Sequence, residues 1–260
     1  MDIIKTQEVR SFWDSNPLCA SAIPYPLGTK EYFDCYDKLR EANENLEFSY
    51  RLHEYKQFSG KRVLDVGCGN GYVLSKYSLE GAEAHGVDIT PTGIELCRRR
   101  FDLSGLKGSF LEADAEGLPF DNETFDCVCS MGVLHHIPNT EKGIAELRRV
   151  LKKGGRLIVM FYHRNSAYYR ISMPLLGAIK GKKLEQLVNE VDGEGNPKGE
   201  VYSKRQLKEL LPDFEDIEMF AGFIEGRMVF PGVGKLFPNF LFKPLEKRFG
   251  WFLYAKGIKP

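Results

Sequence analysis

Gly67, Gly69 and Gly71 fall within VLDVGCGNGYVL, Val63 to Leu74, between two apolar stretches. Glycine has no Cβ, so a backbone carrying three of them can turn sharply or approach a ligand closely, at an entropic cost that calls for a reason. Asp65 stands two residues before the first glycine. A carboxylate there repels a pyrophosphate and attracts an ammonium group. The spacing is G-x-G-x-G, whereas a dinucleotide turn reads G-x-G-x-x-G, and Tyr72 occupies the place of its third glycine. Asp88 closes the run GVD, where a carboxylate can accept hydrogen bonds from two adjacent ribose hydroxyls. In LEADAEGLPF, Asp114 and Ala115 offer an adenine edge a carboxylate acceptor and a backbone donor. His135 and His136 follow FDCVCSM, and imidazole is the side chain that exchanges a proton near neutral pH. They are the candidate bases, or substrate-positioning groups, for an acceptor that must lose a proton.

These residues need elements that bring them together. From Lys61, short β-branched runs alternate with helix-like stretches: RVLDVG, GYVLSKYSLEG, AHGVDI, TPTGIELCRRRFDLSG, GSFLEAD, FDCVCSM, EKGIAELRRVLKKGG and RLIVMFY. That rhythm predicts βαβ units, a parallel sheet with helices on both faces, and by right-handed crossover a doubly wound sheet. In LEGAE and KKGGR a glycine falls just past a helix, with Lys expected in the last turn of the second. Asp114 is expected to end the third strand. Cys127 and Cys129, two apart on the fourth, read as core residues.

Together these motifs resemble the class I S-adenosylmethionine-dependent methyltransferases, most closely the methyltransferase type 11 domains. VLDVGCGNG, VDIT, EADAEGLPF, FDCVCSMGVLHHIPN and LRRVLKKGGRLIV occur in the family's order and spacing, over residues 60–161. The resemblance implies a Rossmann-like, mostly parallel seven-stranded sheet whose last strand, here WFLYAKG, runs antiparallel. It implies S-adenosyl-L-methionine as cofactor and S-adenosyl-L-homocysteine as product. It places Gly67, Cys68, Gly69 and Gly71 along the methionine portion, Asp65 at its ammonium, and Asp88 with Ile89 at the ribose. Asp114 and Ala115 would meet the adenine, and Met131 and Leu134 would flank the methyl end. A non-catalytic adenosyl-ligand-binding module and a dinucleotide-dependent oxidoreductase stand as alternatives.

Around that core, residues 1–59 read as a helical N-terminal cap in which Phe12, Trp13, Tyr25, Tyr32 and Phe33 could close over the cofactor. Residues 162–202 read as an inserted lid ending in an exposed turn cluster, DGEGNPKGE. Its aromatics and cations, Tyr162, His163, Arg164, Tyr168, Tyr169 and Arg170, form with Tyr25 the candidate acceptor surface. Residues 203–260 complete the sheet, with Ser203 as a helix N-cap and an apolar, basic insertion at about 225–250 suited to peripheral membrane contact or a lipophilic substrate. Lys plus Arg and Asp plus Glu are 36 each, and the pI is near 7.0, so no field gathers a nucleic acid. The acceptor is expected to be a small molecule, methylated on O or N. The charged start and the lack of a long apolar stretch predict a cytoplasmic protein without integral membrane association. Six cysteines without a CxxC pair read as reduced thiols, and no residue cluster has metal-ligand spacing.

Overall fold

A short β-branched strand with helices before and after it buries both its faces only inside a sheet covered on each side. The computed structural model describes residues 5–260, and the first four residues of the charged start lie outside the described residues. The N-terminal preface forms α1 (Thr6–Ser15), α2 (Lys30–Asn43) and α3 (Leu46–His53). Thr29 and Asn45 cap α2 and α3, their side-chain oxygens accepting from the Tyr32 and Phe48 amides. The core follows as β1 (Arg62–Val66), α4 (Tyr72–Leu79), β2 (Glu83–Asp88), α5 (Pro91–Leu103) and β3 (Gly108–Glu112). It continues with β4 (Phe125–Met131), α6 (Thr140–Val150) and β5 (Leu151–His163).

Beyond β5 come α7 (Met173–Lys180), α8 (Leu184–Asn189), the two-residue β6 (Val201–Tyr202), α9 (Lys204–Leu210) and β7 (Glu215–Gly222). The chain ends in α10 (Gly226–Val229), α11 (Lys243–Phe249) and β8 (Phe252–Ile258). One sheet runs β3-β2-β1-β4-β5-β8-β7, with β6 paired to β5. Strands β1 to β5 pair in parallel, and β8 is antiparallel to both β5 and β7. This is the doubly wound, mostly parallel sheet expected, with β6 as an addition that a two-residue run cannot signal. The strand order reverses between β1 and β4, so the carboxyl ends of those strands are where a ligand meets the sheet.

Period two distributes the core. On β5, Ile158, Met160 and Tyr162 pack under the aromatic cap of Tyr32, Phe33, Tyr36, Tyr55 and Tyr77, while Leu157, Val159 and Phe161 face α6 and α9. Each wholly buried Leu or Val in these two layers contributes about 1.5–3 kcal/mol by leaving water. Cys127 and Cys129 lie buried on the cap side. Two local expectations are corrected. Helix α6 stops at Val150 with Arg148 and Arg149 in its last turn, because Lys152 is held at 2.9 Å by Asp126 and the Gly154 amide donates to Lys259 O. Strand β3 stops at Glu112, so Asp114 lies in the loop beyond it.

Candidate active site

The loop after β1 leaves the sheet at the switch point, and all three glycines have positive φ, +77°, +48° and +77°. They have different neighbours. A Cβ at Gly67 would fall 2.2 Å from Val133 Cγ2, and one at Gly71 2.7 Å from Cys97 Sγ. Those two are glycines because the loop after β4 and helix α5 press against them. A Cβ at Gly69 would meet nothing within 4 Å. Gly69 is therefore the glycine that borders open space, and its amide donates to Asp88 Oδ2 at 2.9 Å. Cys68 is buried beside α5, its amide donating to Val87 O.

Asp65 is 3% exposed on β1. Among the described residues, the one hydrogen bond to its carboxylate comes from the Cys129 thiol at 3.4 Å, and no Lys, Arg or His forms a salt bridge with it. Burial raises its pKa to about 7, opposed by the Cys129 contact and reinforced by the Asp88 charge. A carboxyl in that state gains from any cation brought beside it. Asp88 accepts from Gly69 N with Oδ2 and from Thr90 N and Oγ1 with Oδ1, at 2.9 and 2.7 Å. Burial pushes its pKa up and these hydrogen bonds oppose the shift. Half-buried Ile89 follows it. Asp114 Oδ1 accepts from the Glu116 amide at 2.9 Å, so its carboxylate also closes a turn. Ala115 is buried against Val66 and Leu118. Met131 is half-buried at the end of β4, whereas Leu134 is wholly buried under α6, its carbonyl accepting from Thr140.

His135 and His136 are both buried. Neither ring nitrogen of His135 has a hydrogen-bond partner among the described residues, and burial holds its pKa well below the ordinary value. Its ring lies 4.1 Å from His136 and 4.2 Å from Tyr162. His136 is oriented. Its Nδ1 donates to Lys198 O at 2.7 Å, which leaves the lone pair of the neutral ring on Nε2. Nε2 faces Asp192 Oδ2 at 3.6 Å, and Tyr162 donates to Asp192 Oδ1 at 2.5 Å. Burial lowers the His136 pKa and raises that of Asp192, while each group's charge opposes the other's shift. Trp13 of α1 packs edge-on against His136 at 5.0 Å.

Residues 64–159 match the family described as Methyltransferase domain. Two curated relatives agree over part of their length. The chain is 42% identical over 123 residues to the phthiotriol/phenolphthiotriol dimycocerosates methyltransferase of Mycobacterium leprae, covering 46% of this chain and 44% of that one. It is 36% identical over 123 residues to the fatty-acid O-methyltransferase of Mycolicibacterium smegmatis, covering 45% of this chain and 44% of that one. The chain thus covers under half the length of these relatives. The family match is confined to residues 64–159. The whole fold is similar to a crystal structure of magnesium protoporphyrin IX methyltransferase from Synechocystis PCC 6803, with a TM-score of 0.60 at 14% identity, covering 98% of this chain and 100% of that one.

Outside the matched residues, the turn cluster DGEGNPKGE is not the exposed tip that its composition suggests. Only Glu194, Gly195 and Glu200 are exposed. Lys198 is buried, its ammonium donating to Ile137 O at 2.7 Å and Pro138 O at 3.2 Å, so the segment is latched onto the histidine loop. The acceptor candidates separate accordingly. Tyr162 and Tyr169 are buried and Tyr168 half-buried around Trp251, which stacks on Tyr162 at 5.2 Å and donates to the Tyr169 hydroxyl. Arg164 and Arg170 are exposed, with Arg164 Nε donating to Val201 O just beyond the β5–β6 pairing. Tyr25 is 46% exposed on the Pro-rich link. Sequence reading missed Asp192, Lys198 and Arg100. Arg100, 5% exposed, donates to Asn70 O at 2.8 Å and pairs with Asp37 of α2, fixing the cap to the glycine loop. An Arg in a helix or an Asp before Gly-Glu-Gly carries no local signal of such a role.

Proposed function

We propose that this protein transfers a methyl group from S-adenosyl-L-methionine to an oxygen or nitrogen atom of a small, lipophilic or aromatic acceptor. The observation that carries the reading is Asp65: a buried carboxyl with no salt-bridge partner among the described residues, at the carboxyl end of β1, beside a glycine loop whose Gly69 borders open space. The residues present fit the cofactor. Asp65 would hold the α-ammonium, the Gly67–Gly71 backbone would run along the methionine chain, and Asp88 would take the ribose hydroxyls. When bound, the cofactor supplies a methyl group on a sulfonium, which is electrophilic without further activation. The protein's part is then positioning and proton handling, and positioning alone can lower such a barrier by several kcal/mol.

His136 is the group for the proton. Its Nε2 and Asp192 Oδ2, 3.6 Å apart, are both buried and without a hydrogen-bond partner among the described residues, so an acceptor O–H or N–H that enters between them would give its proton to Nε2 beside the carboxylate that stabilises the imidazolium. Lys198 O fixes the ring and Tyr162 fixes Asp192, so neither has to reorient. The names of the two curated relatives, one acting on phthiotriol-class lipids and one on fatty acids, support a lipophilic acceptor. Incubating the protein with S-adenosylmethionine and a panel of fatty acids, phenols and amines, with S-adenosylhomocysteine as the readout, tests this. Acceptor-dependent product formation is expected; cofactor binding without turnover on any acceptor would favour a non-catalytic adenosyl-binding module.

A further inference from the structure

Residues 164–184 and 225–250 together carry ten Lys and Arg against two Asp and Glu, in a chain that is neutral as a whole and whose remaining residues carry 26 Lys and Arg against 34 Asp and Glu. All ten cations are exposed. Among the described residues, eleven of the nineteen large apolar side chains that stay exposed come from the same two segments. Ile171, Leu175 and Ile179 recur every four residues along one face of α7 and the turn before it, and Ile179 is 73% exposed. Leu236 and Phe240, at 81% and 69%, project from the loop between α10 and α11. Such an accumulation of apolar side chains on a soluble surface marks an interaction site.

The segments form one surface. The Ser172 hydroxyl donates to Met228 O at 2.7 Å, and Ala167, Ile224 and Phe242 make a small shared core. The exposed residues are therefore not the segment's own packing: Phe242 fills the inside, while Leu236, Phe240 and Leu241 face out between Lys235 and Lys243. Glu225 pairs with Arg227, Lys182 pairs with Glu190 and Glu246 accepts from the Phe223 amide, so among the described residues eight of the ten cations have no salt-bridge partner. Apolar side chains ringed by unneutralised cations complement a bilayer of anionic lipid, whose headgroups meet the cations while the apolar tips enter the acyl boundary. The same stretch of chain runs directly into Trp251, which stacks on Tyr162 beside His136.

We propose that the surface made by residues 164–184 and 225–250 docks the protein onto anionic membranes, with the acceptor end of the site next to the lipid. The reading goes beyond methyl transfer and is tested without cofactor. Co-sedimentation with vesicles of phosphatidylcholine alone and of phosphatidylcholine with phosphatidylglycerol reads it directly. Binding is expected only to the anionic vesicles and is expected to weaken as salt rises. Lys235→Gln and Lys243→Gln should each weaken it about fivefold, and Leu236→Ser with Phe240→Ser at least about tenfold. These positions are exposed, so circular dichroism and thermal melting should be unchanged. No vesicle binding, or equal binding to neutral and anionic vesicles, overturns the proposal. So does a wild-type dimer in light scattering that Leu236→Ser with Phe240→Ser converts to monomer, which would assign the face to a second copy of this chain.

Discussion

The protonation state of Asp65 makes cofactor affinity a function of pH with a calculable slope. In the free protein its pKa is about 7, because burial disfavours the charge more than the Cys129 hydrogen bond and the Arg40 charge favour it, and among the described residues no cation forms a salt bridge with it. An ammonium bound there requires the ionised form, so binding at lower pH must first expel a proton. At pH 5.5 about 3% of Asp65 is ionised, against about 70% at pH 7.4, while the ligand's own α-ammonium begins to titrate near 8. Affinity for S-adenosylmethionine should then be bell-shaped and roughly fifteenfold weaker at pH 5.5 than at pH 7.4, about 1.6 kcal/mol. Calorimetry in two buffers of different ionisation enthalpy would show nearly one proton released at pH 5.5. Asp65→Asn should bind more weakly throughout and lose the acid limb.

The same group sets a stability trend of known sign. Its folded pKa lies above the ordinary Asp value near 4, so the stability it contributes is fully present below pH 4 and is lost as pH rises to about 7. The upper bound is on the order of 4 kcal/mol. Asp65→Asn should therefore melt higher than wild type at pH 8 in the absence of ligand. An affinity unchanged between pH 5.5 and 7.4, or an Asp65→Asn variant with the wild-type pH dependence, would refute the assignment of Asp65 as the ammonium partner.

The glycine loop yields a contrast: Gly67→Ala, with Val133 at 2.2 Å and a left-handed φ, should lose about 2–4 kcal/mol in chemical denaturation, whereas Gly69→Ala should lose about 1 kcal/mol and instead weaken cofactor binding. Asp88→Asn, which keeps one acceptor oxygen for its neighbours, should weaken cofactor binding by about 1–3 kcal/mol in calorimetry, and unchanged affinity in the folded variant would remove the ribose assignment. Asp192→Asn should lower kcat about ten- to a hundredfold with little change in KM and shift the acid limb of the pH–rate profile, a split that a merely structural residue would not give.

The parts of this chain that sequence alone discloses are those whose cause is local. The strands from β1 to β5 announce themselves because β-branched runs such as RVLDV recur between helical stretches, and Ser203 stands where a helix amide needs an acceptor. Asp88 is legible as a strand end, since β2 stops there as its place before the next helix-like stretch predicts. What depends on the chain returning from afar is not legible. Asp192 acquires its place only when the segment after α8 folds back, 56 residues beyond His136, and Lys198 latches it to Ile137 O. The end of α6 is decided by pairing of the Lys152–Gly154 stretch with Asp126 and the C-terminus, against the local sequence signal for a longer helix. Leu134 looks equivalent to Met131 in the sequence, yet helix α6 covers it.

Titration calorimetry of the purified protein with S-adenosylmethionine, S-adenosylhomocysteine and NADH, after denaturing extraction has verified that no ligand copurifies, tests the central claim most directly. The account predicts micromolar binding of the two adenosyl ligands and none of NADH. Binding of NADH, or of none of the three to the ligand-free protein, would contradict it.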